Sequence, residues 1–332
     1  MSRGGGGALL LAAALFFTPT ARAEKSSLAL TCAESDFKPV EKVIDAAYRK
    51  ALREGGRWGR RAADALDAPP KARFLVATPV DGRSVLPVGV EIRESAVMEC
   101  CTDHAIKINH EYLHSWSFNE SVLVSSPAAL GRFVDLTAGS AVHEAVHYER
   151  EARFGKVPTS LVPVEEEVLA EYAAALFTLD RARLRPSTID EPAADARVAR
   201  VLKLFDLDDR YGREFDALDR IRQPTDAERD RMTTLARWLS SFRLRRLDLQ
   251  TELAAEPGRP GIFWIGVGLL ARSNERFESA VRGGYPNRHR LDAMPVTPSM
   301  RAFYGERLDE ARSEADRRRR SDAGLFARFA NL

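Results

Sequence analysis

The sequence predicts an α+β fold, mostly helical: a small N-terminal sheet packed on a long helix, followed by a helical C-terminal part. Three observations predict it. Short runs rich in β-branched residues, separated by turn residues, cluster between positions 72 and 109. Apolar residues recur at helical spacing on both sides of that stretch. Beyond position 190 the pattern is helical throughout. Runs of strands followed by runs of helices are the signature of an α+β unit.

The elements follow in order. Residues 36–53 read as a helix, with Val40, Val43, Ile44, Ala47, Tyr48 and Leu52 on one face and Gly55-Gly56 as its stop. "ARFLVA" (72–77), "LPVGVEIR" (86–93) and "HAIKIN" (104–109) read as strands. Helical character restarts at Pro127 and is plain over 140–154, with Gly155 a natural C-terminal stop. Pro163 suits the first turn of the next helix, "VEEEVLAEYAAALFTL", which ends before Pro186. Thr225 and Glu228 have the spacing of a capping box ahead of Met232, Leu235, Leu239 and Phe242. Residues 262–281 form an apolar helical stretch that stops at Gly283-Gly284, and 300–320 is amphipathic and charged. No internal repeat interrupts this order. We therefore divide the chain into an α+β core over 24–190 and a helical region over 191–332, a subdomain of the same unit.

Residues 1–23 do not belong to the fold. "ALLLAAALFF" (8–17) is apolar but too short to span a bilayer, and Ala21 and Ala23 in "TPTARA" form an A-x-A cleavage pattern. This predicts a signal peptide cleaved after Ala23 and a secreted or periplasmic product. Loss of Arg3 and Arg22 from the 50 basic residues brings them level with the 48 acidic ones. A neutral chain carries no global field for nucleic acid. The run Arg317 to Arg320 closes a helix rich in acids and reads as a solvated helix end. "GIFWIGVGLL" (261–270) is stopped by Arg272, so it reads as a buried helix, and no stable membrane span is expected once the signal is gone. The three cysteines are Cys32, Cys100 and Cys101. Export permits a disulfide, and Cys32 could pair with either of the other two; the adjacent pair could equally be buried residues.

Only six histidines occur, and four of them sit in two HExxH matches, His110-Glu111-x-x-His114 and His143-Glu144-x-x-His147. Two imidazoles four residues apart can share one ion only on a helix, where they stand on one face about 6 Å apart along the axis. The first match follows a strand pattern, Ile106 and Ile108 alternating with Lys107. In an extended chain its histidines would be roughly 13 Å apart, so we read it as a loop. The second match lies in a helical run. Glu167 follows His147 by 20 residues, on the next helix, and Glu171 lies one turn later on the same face. Two His and one Glu leave a fourth position open for water. Glu144 is placed to act as base, and Glu171 to accept the outer ring N–H of a ligand histidine. The run Glu165 to Glu167 leaves the third ligand open by one residue.

The pattern His143, Glu144, His147, Glu167, Glu171 resembles the gluzincins, the thermolysin-like clan of zinc metallopeptidases. The resemblance covers residues 143–171. Where that clan commonly has "NExxSD", this chain has "EEVLAE", with Glu166 for Asn and Glu171 for Asp. The resemblance implies bound Zn2+, a peptide or protein substrate, and hydrolysis by a metal-activated water. It also implies a further donor for the tetrahedral oxyanion, for which Tyr285 and His289, in "GGYPNRHRL", are the candidates. Two other readings stand beside it: a non-catalytic exported scaffold with a structural metal, and a zinc hydrolase of cell-wall amides.

Overall fold

The computed structural model describes residues 37–80, 91–93, 98–101, 104–110, 118–156, 162–184, 196–255, 261–285 and 288–330. The segment 1–23, Cys32 and residues 111–114 of the first HExxH match lie outside these. The fold is α+β and mostly helical, as expected. Among the described residues the strands are β1 (Arg73–Val80), β2 (Glu91–Arg93), β3 (Met98–Cys100) and β4 (Ala105–Asn109), in the order β2-β1-β4-β3. β1 runs parallel to β2 and β4, and β3 lies antiparallel to β4 at the sheet edge. Phe74 stands opposite Ile106 and Val76 opposite Ile108, all four buried. β-branched residues suit such buried positions because their stiff side chains pack on a pleated surface. β3 was not predicted, because three residues are too few to show a period of two.

Helix α1 (Lys38–Glu54) occupies its expected span, but a second helix, α2 (Gly56–Asp67), follows at once. The Gly55-Gly56 stop conceals it. Gly56 takes a φ of +75°, which glycine adopts without strain, and the chain re-enters a helix whose Trp58, Ala62, Ala63 and Leu66 are buried at helical spacing. Helix α3 (Glu120–Ser125) is capped by Asn119, which accepts from Val122 N at 2.8 Å.

Helix α4 (Pro127–Phe154) runs 28 residues without a break. Ser126 caps its start, accepting from Ala129 N at 3.3 Å, and Gly155 at φ +80° ends it. The buried residues of α4 include Phe133, Leu136, Ala138, Ala141, Val142, Ala145, Val146 and Tyr148, which cover most of its circumference. The reason is its position: α1, α2 and edge strand β3 pack on one side and α5 (Val164–Leu184) on the other. Helix α5 is equally enclosed, by α2, α4, α8 (Gly261–Leu270), α9 (Asn274–Gly284) and α10 (Pro298–Ser321). Two helices with apolar residues all round are buried helices. They form the centre of the molecule.

The apolar stretch 262–281 is not one helix. It breaks between α8 and α9, where Ser273 accepts from Arg276 N at 3.2 Å and caps a new start. Helices α6 (Ala196–Asp219) and α7 (Asp226–Ala255) pair as a hairpin. The capping box at its turn is present, with Thr225 N donating to Glu228 Oε2 at 2.7 Å and Glu228 N to Thr225 Oγ1 at 3.3 Å. One apolar cluster extends from Val40 in α1 to Phe329 in α11 (Ala323–Ala330), so the C-terminal helices share the core of the N-terminal part. The basic run is not simply a solvated end: Arg318 is 11% exposed and pairs with Asp180 of α5 and with Glu314, and Arg319 pairs with Asp316. Among the described residues no helix is long and apolar enough to cross a membrane.

Candidate metal centre

The inner faces of α4 and α5 meet at His143, His147 and Glu167, which are the one group of metal-ligand type among the described residues, with ligand atoms within 4.8 Å of one another. The two Nε2 atoms are 3.1 Å apart. His143 Nε2 lies 3.3 Å from Glu167 Oε2, and His147 Nε2 lies 3.7 Å from Glu167 Oε1. Bonds of about 2.0–2.1 Å to a tetrahedral zinc imply ligand-to-ligand edges of roughly 3.3 Å. The two Nε2 atoms and the two oxygens of the Glu167 carboxylate thus approach one another at distances of that order. Two imidazoles and a carboxylate suit a borderline-soft divalent ion, so the residues fit the group.

Each histidine is oriented by its own carboxylate. Glu171 Oε1 is 3.3 Å from His143 Nδ1, and Glu166 Oε1 is 2.6 Å from His147 Nδ1. A carboxylate on Nδ1 keeps the ring proton there and leaves the Nε2 lone pair for a cation. Glu171 thus holds the position the spacing predicts. Glu166 faces away from the triad's centre, which places Glu167 as the third ligand-type residue. The whole run Glu165 to Glu167 is buried rather than solvated.

Neighbouring groups hold the carboxylates in turn. Glu166 receives Arg150 Nε at 3.2 Å and the Tyr304 hydroxyl. Glu167 forms an ion pair with Arg288, Nη2 to Oε1 at 2.7 Å, and the partly buried Tyr285 hydroxyl lies close enough to feel its charge. Glu165 accepts from Leu291 N at 2.8 Å, and Val164 N donates to His289 O at 2.9 Å. The first turn of α5 therefore clamps the segment after α9 by one backbone–backbone bond and one side-chain bond.

The electrostatics follow from this crowding. Burial alone would lower the pKa of His143, but Glu167 and Glu171 outweigh it and hold it well above the ordinary value. Burial would raise Glu167, yet His147, His143 and Arg288 bring it far below the carboxylate range. Lone-pair atoms this close need a positive charge between them; in the metal-free protein a proton supplies it, and a divalent ion would replace that proton. Glu144 differs. Its Oε2 accepts from Cys100 N at 2.9 Å, across from edge strand β3, and burial raises its pKa. Where Glu166 and Glu167 are lowered, Glu144 is raised, the direction a proton carrier needs.

The remaining candidates fall elsewhere. Tyr285 reaches the site, and burial followed by Glu167 and Glu171 pushes its hydroxyl pKa well up, so it stays protonated and able to donate. His289 contributes its backbone carbonyl; its ring is exposed and makes no hydrogen bond with the site residues. His110 bonds Glu120 at 2.5 Å and packs against Phe37, outside the triad. Cys100 and Cys101 lie side by side with their sulfurs in contact, and neither belongs to the ligand group; Cys32 lies outside the described residues. Arg150 stands one turn after His147 on the same helix, a spacing that could have drawn attention to it; Arg288 and Tyr304 carry no sequence signal, since they come from elsewhere in the chain and meet the site only by packing. No family model matches the chain, and no curated protein and no solved structure is significantly similar to it.

Proposed function

We propose that the protein is a zinc-dependent hydrolase of peptide bonds, and that the gluzincin-like pattern at 143–171 reflects that chemistry. The observation that carries this reading is the convergence of two Nε2 atoms and one Glu167 oxygen, with each Nδ1 held by a different carboxylate. His143, His147 and Glu167 would hold the ion. When bound, zinc polarises an amide carbonyl and acidifies a water molecule. Glu144 takes the proton from the attacking water and returns it to the leaving amine nitrogen. Its raised pKa suits both halves of that task. Cys100 N–H steadies the carboxylate without neutralising it. Glu166 and Glu171 fix the rings, and the Tyr285 hydroxyl, kept protonated beside Glu167, is the candidate donor to the oxyanion. The apolar segment 8–17 supports export of the enzyme.

The test is Glu144→Gln. It should keep the bound zinc and the melting temperature, and lower cleavage of a fluorogenic peptide library by about 10²- to 10⁴-fold. Cleavage at the wild-type rate by a zinc-loaded variant would overturn the assignment of Glu144 as base.

A further inference from the structure

Arg288 stands directly beside the ligand set. Its Nη2 bonds Glu167 Oε1 at 2.7 Å, and its side chain is 21% exposed. Its guanidinium carbon lies 5.3 Å from the centre of the Tyr285 ring, a cation-on-aromatic contact that fixes the plane of the group. The backbone around it is pinned: Arg288 N donates to Tyr285 O at 3.0 Å, and His289 O and Leu291 N are held by the first turn of α5. Yet its second terminal nitrogen, Nη1, is buried and has no hydrogen-bond partner among the described residues.

A buried donor on a permanent cation costs stability when it is left unpaired, and a fork that uses one prong invites a bidentate or bridging anion. The charges around it point the same way. Glu166 is committed to His147, Arg150 and Tyr304, and Glu171 to His143. Among the described residues Glu167 is the one carboxylate paired with Arg288. Were a divalent ion to take up the charge of Glu167, the positive charge of Arg288, which pairs with that carboxylate, would lose its counter-ion. A neutral amide ligand would not restore that balance. A carboxylate would.

We infer that Arg288, through Nη1, is the receptor for a carboxylate of the substrate, so that the site selects peptides carrying a free carboxylate close to the scissile bond. This inference rests on the proposed peptide hydrolysis. The carboxylate has two sources, the C-terminal α-carboxylate or an Asp or Glu side chain.

The experiment is calorimetric binding to zinc-loaded full-length protein in the Glu144→Gln background, where hydrolysis is suppressed. The probes are acetyl-Ala-Ala, acetyl-Ala-Ala-amide and acetyl-Asp-amide. Zinc itself favours carboxylates, so the informative quantity is the change in acid preference when Arg288 is replaced. Zinc content is measured in every sample. We expect acetyl-Ala-Ala or acetyl-Asp-amide to bind about 10- to 100-fold tighter than acetyl-Ala-Ala-amide. That preference should fall about tenfold in Arg288→Gln and be partly kept in Arg288→Lys, which retains a cation on Glu167. Should Arg288→Gln lose zinc, Arg288→Lys with full zinc content decides, by a drop of about threefold or more. Tighter binding of acetyl-Ala-Ala identifies the α-carboxylate, and of acetyl-Asp-amide the side chain. Equal binding of acids and amide, or a preference unchanged by both substitutions, overturns the inference. Peptide cleavage by the wild type is scored separately: an inactive wild type that keeps the Arg288-dependent preference sinks the hydrolase reading and leaves the receptor standing.

Discussion

His147 Nδ1 lies 2.6 Å from Glu166 Oε1, while Nε2 of the same ring faces Glu167. One imidazole thus separates two adjacent glutamates into different roles. Glu166 is buried beneath the ring, where Arg150 and Tyr304 also hold it, and Glu167 shares the cavity of the two Nε2 atoms.

This separation sets an order of effects. Glu167→Ala should abolish tight metal binding, because a ligand atom is lost. Glu166→Ala and Glu171→Ala remove only the groups that orient the rings and should weaken binding about 10- to 100-fold. Competition with a chromophoric chelator measures all three. A larger loss from Glu166→Ala than from Glu167→Ala would exchange their roles.

The two HExxH matches should differ as sharply. His147→Ala should bind no stoichiometric zinc, whereas His110→Ala and His114→Ala should each keep about one ion per chain. His110 is engaged with Glu120, outside the ligand group. Elemental analysis of folded variants decides it, and zinc lost from a folded His110→Ala protein would contradict the site.

The segment bearing Tyr285 and Arg288 leaves α9, and Glu278 anchors that helix. Glu278 accepts from Arg312 Nε at 2.7 Å and from Arg282 Nη2 at 2.8 Å. Glu278→Gln should cost about 1–3 kcal/mol at pH 7, below the usual range for a broken buried pair because Arg312 is partly exposed and screened. Burial opposes the charge on Glu278, but Arg312 and Arg282 outweigh it and hold its pKa below the ordinary value. A depressed pKa gives stability that is complete above the unfolded glutamate value, about 4.3, and is lost as pH falls through the folded value. The gap between wild type and variant should therefore be full at pH 7 and narrow below about pH 4. Urea melts with matched slopes at both pH values check it. A gap that widens in acid would contradict the pairing.

What the sequence determined by itself is local and periodic. Four-residue spacing on a helix puts His143 with His147, and Glu167 with Glu171, whatever surrounds them, because 3.6 residues per turn decides which side chains share a face. The same periodicity located α1, α4, α5 and α10, and turn chemistry located the Thr225 box. Two elements were hidden locally: α2 behind a glycine pair that ends one helix and starts another, and β3 because three residues show no period. The tertiary structure decided the rest. Which of Glu166 and Glu167 faces the two Nε2 atoms depends on how α5 is rotated against α4, and that rotation is set by the core packed around both helices. Arg150 follows His147 by three residues on α4, but its partner Glu166 is on another helix, and Tyr285, Arg288 and Tyr304 come from two further places in the chain. No spacing rule joins those three to the site, since contacts across such separations exist only once the helices have packed.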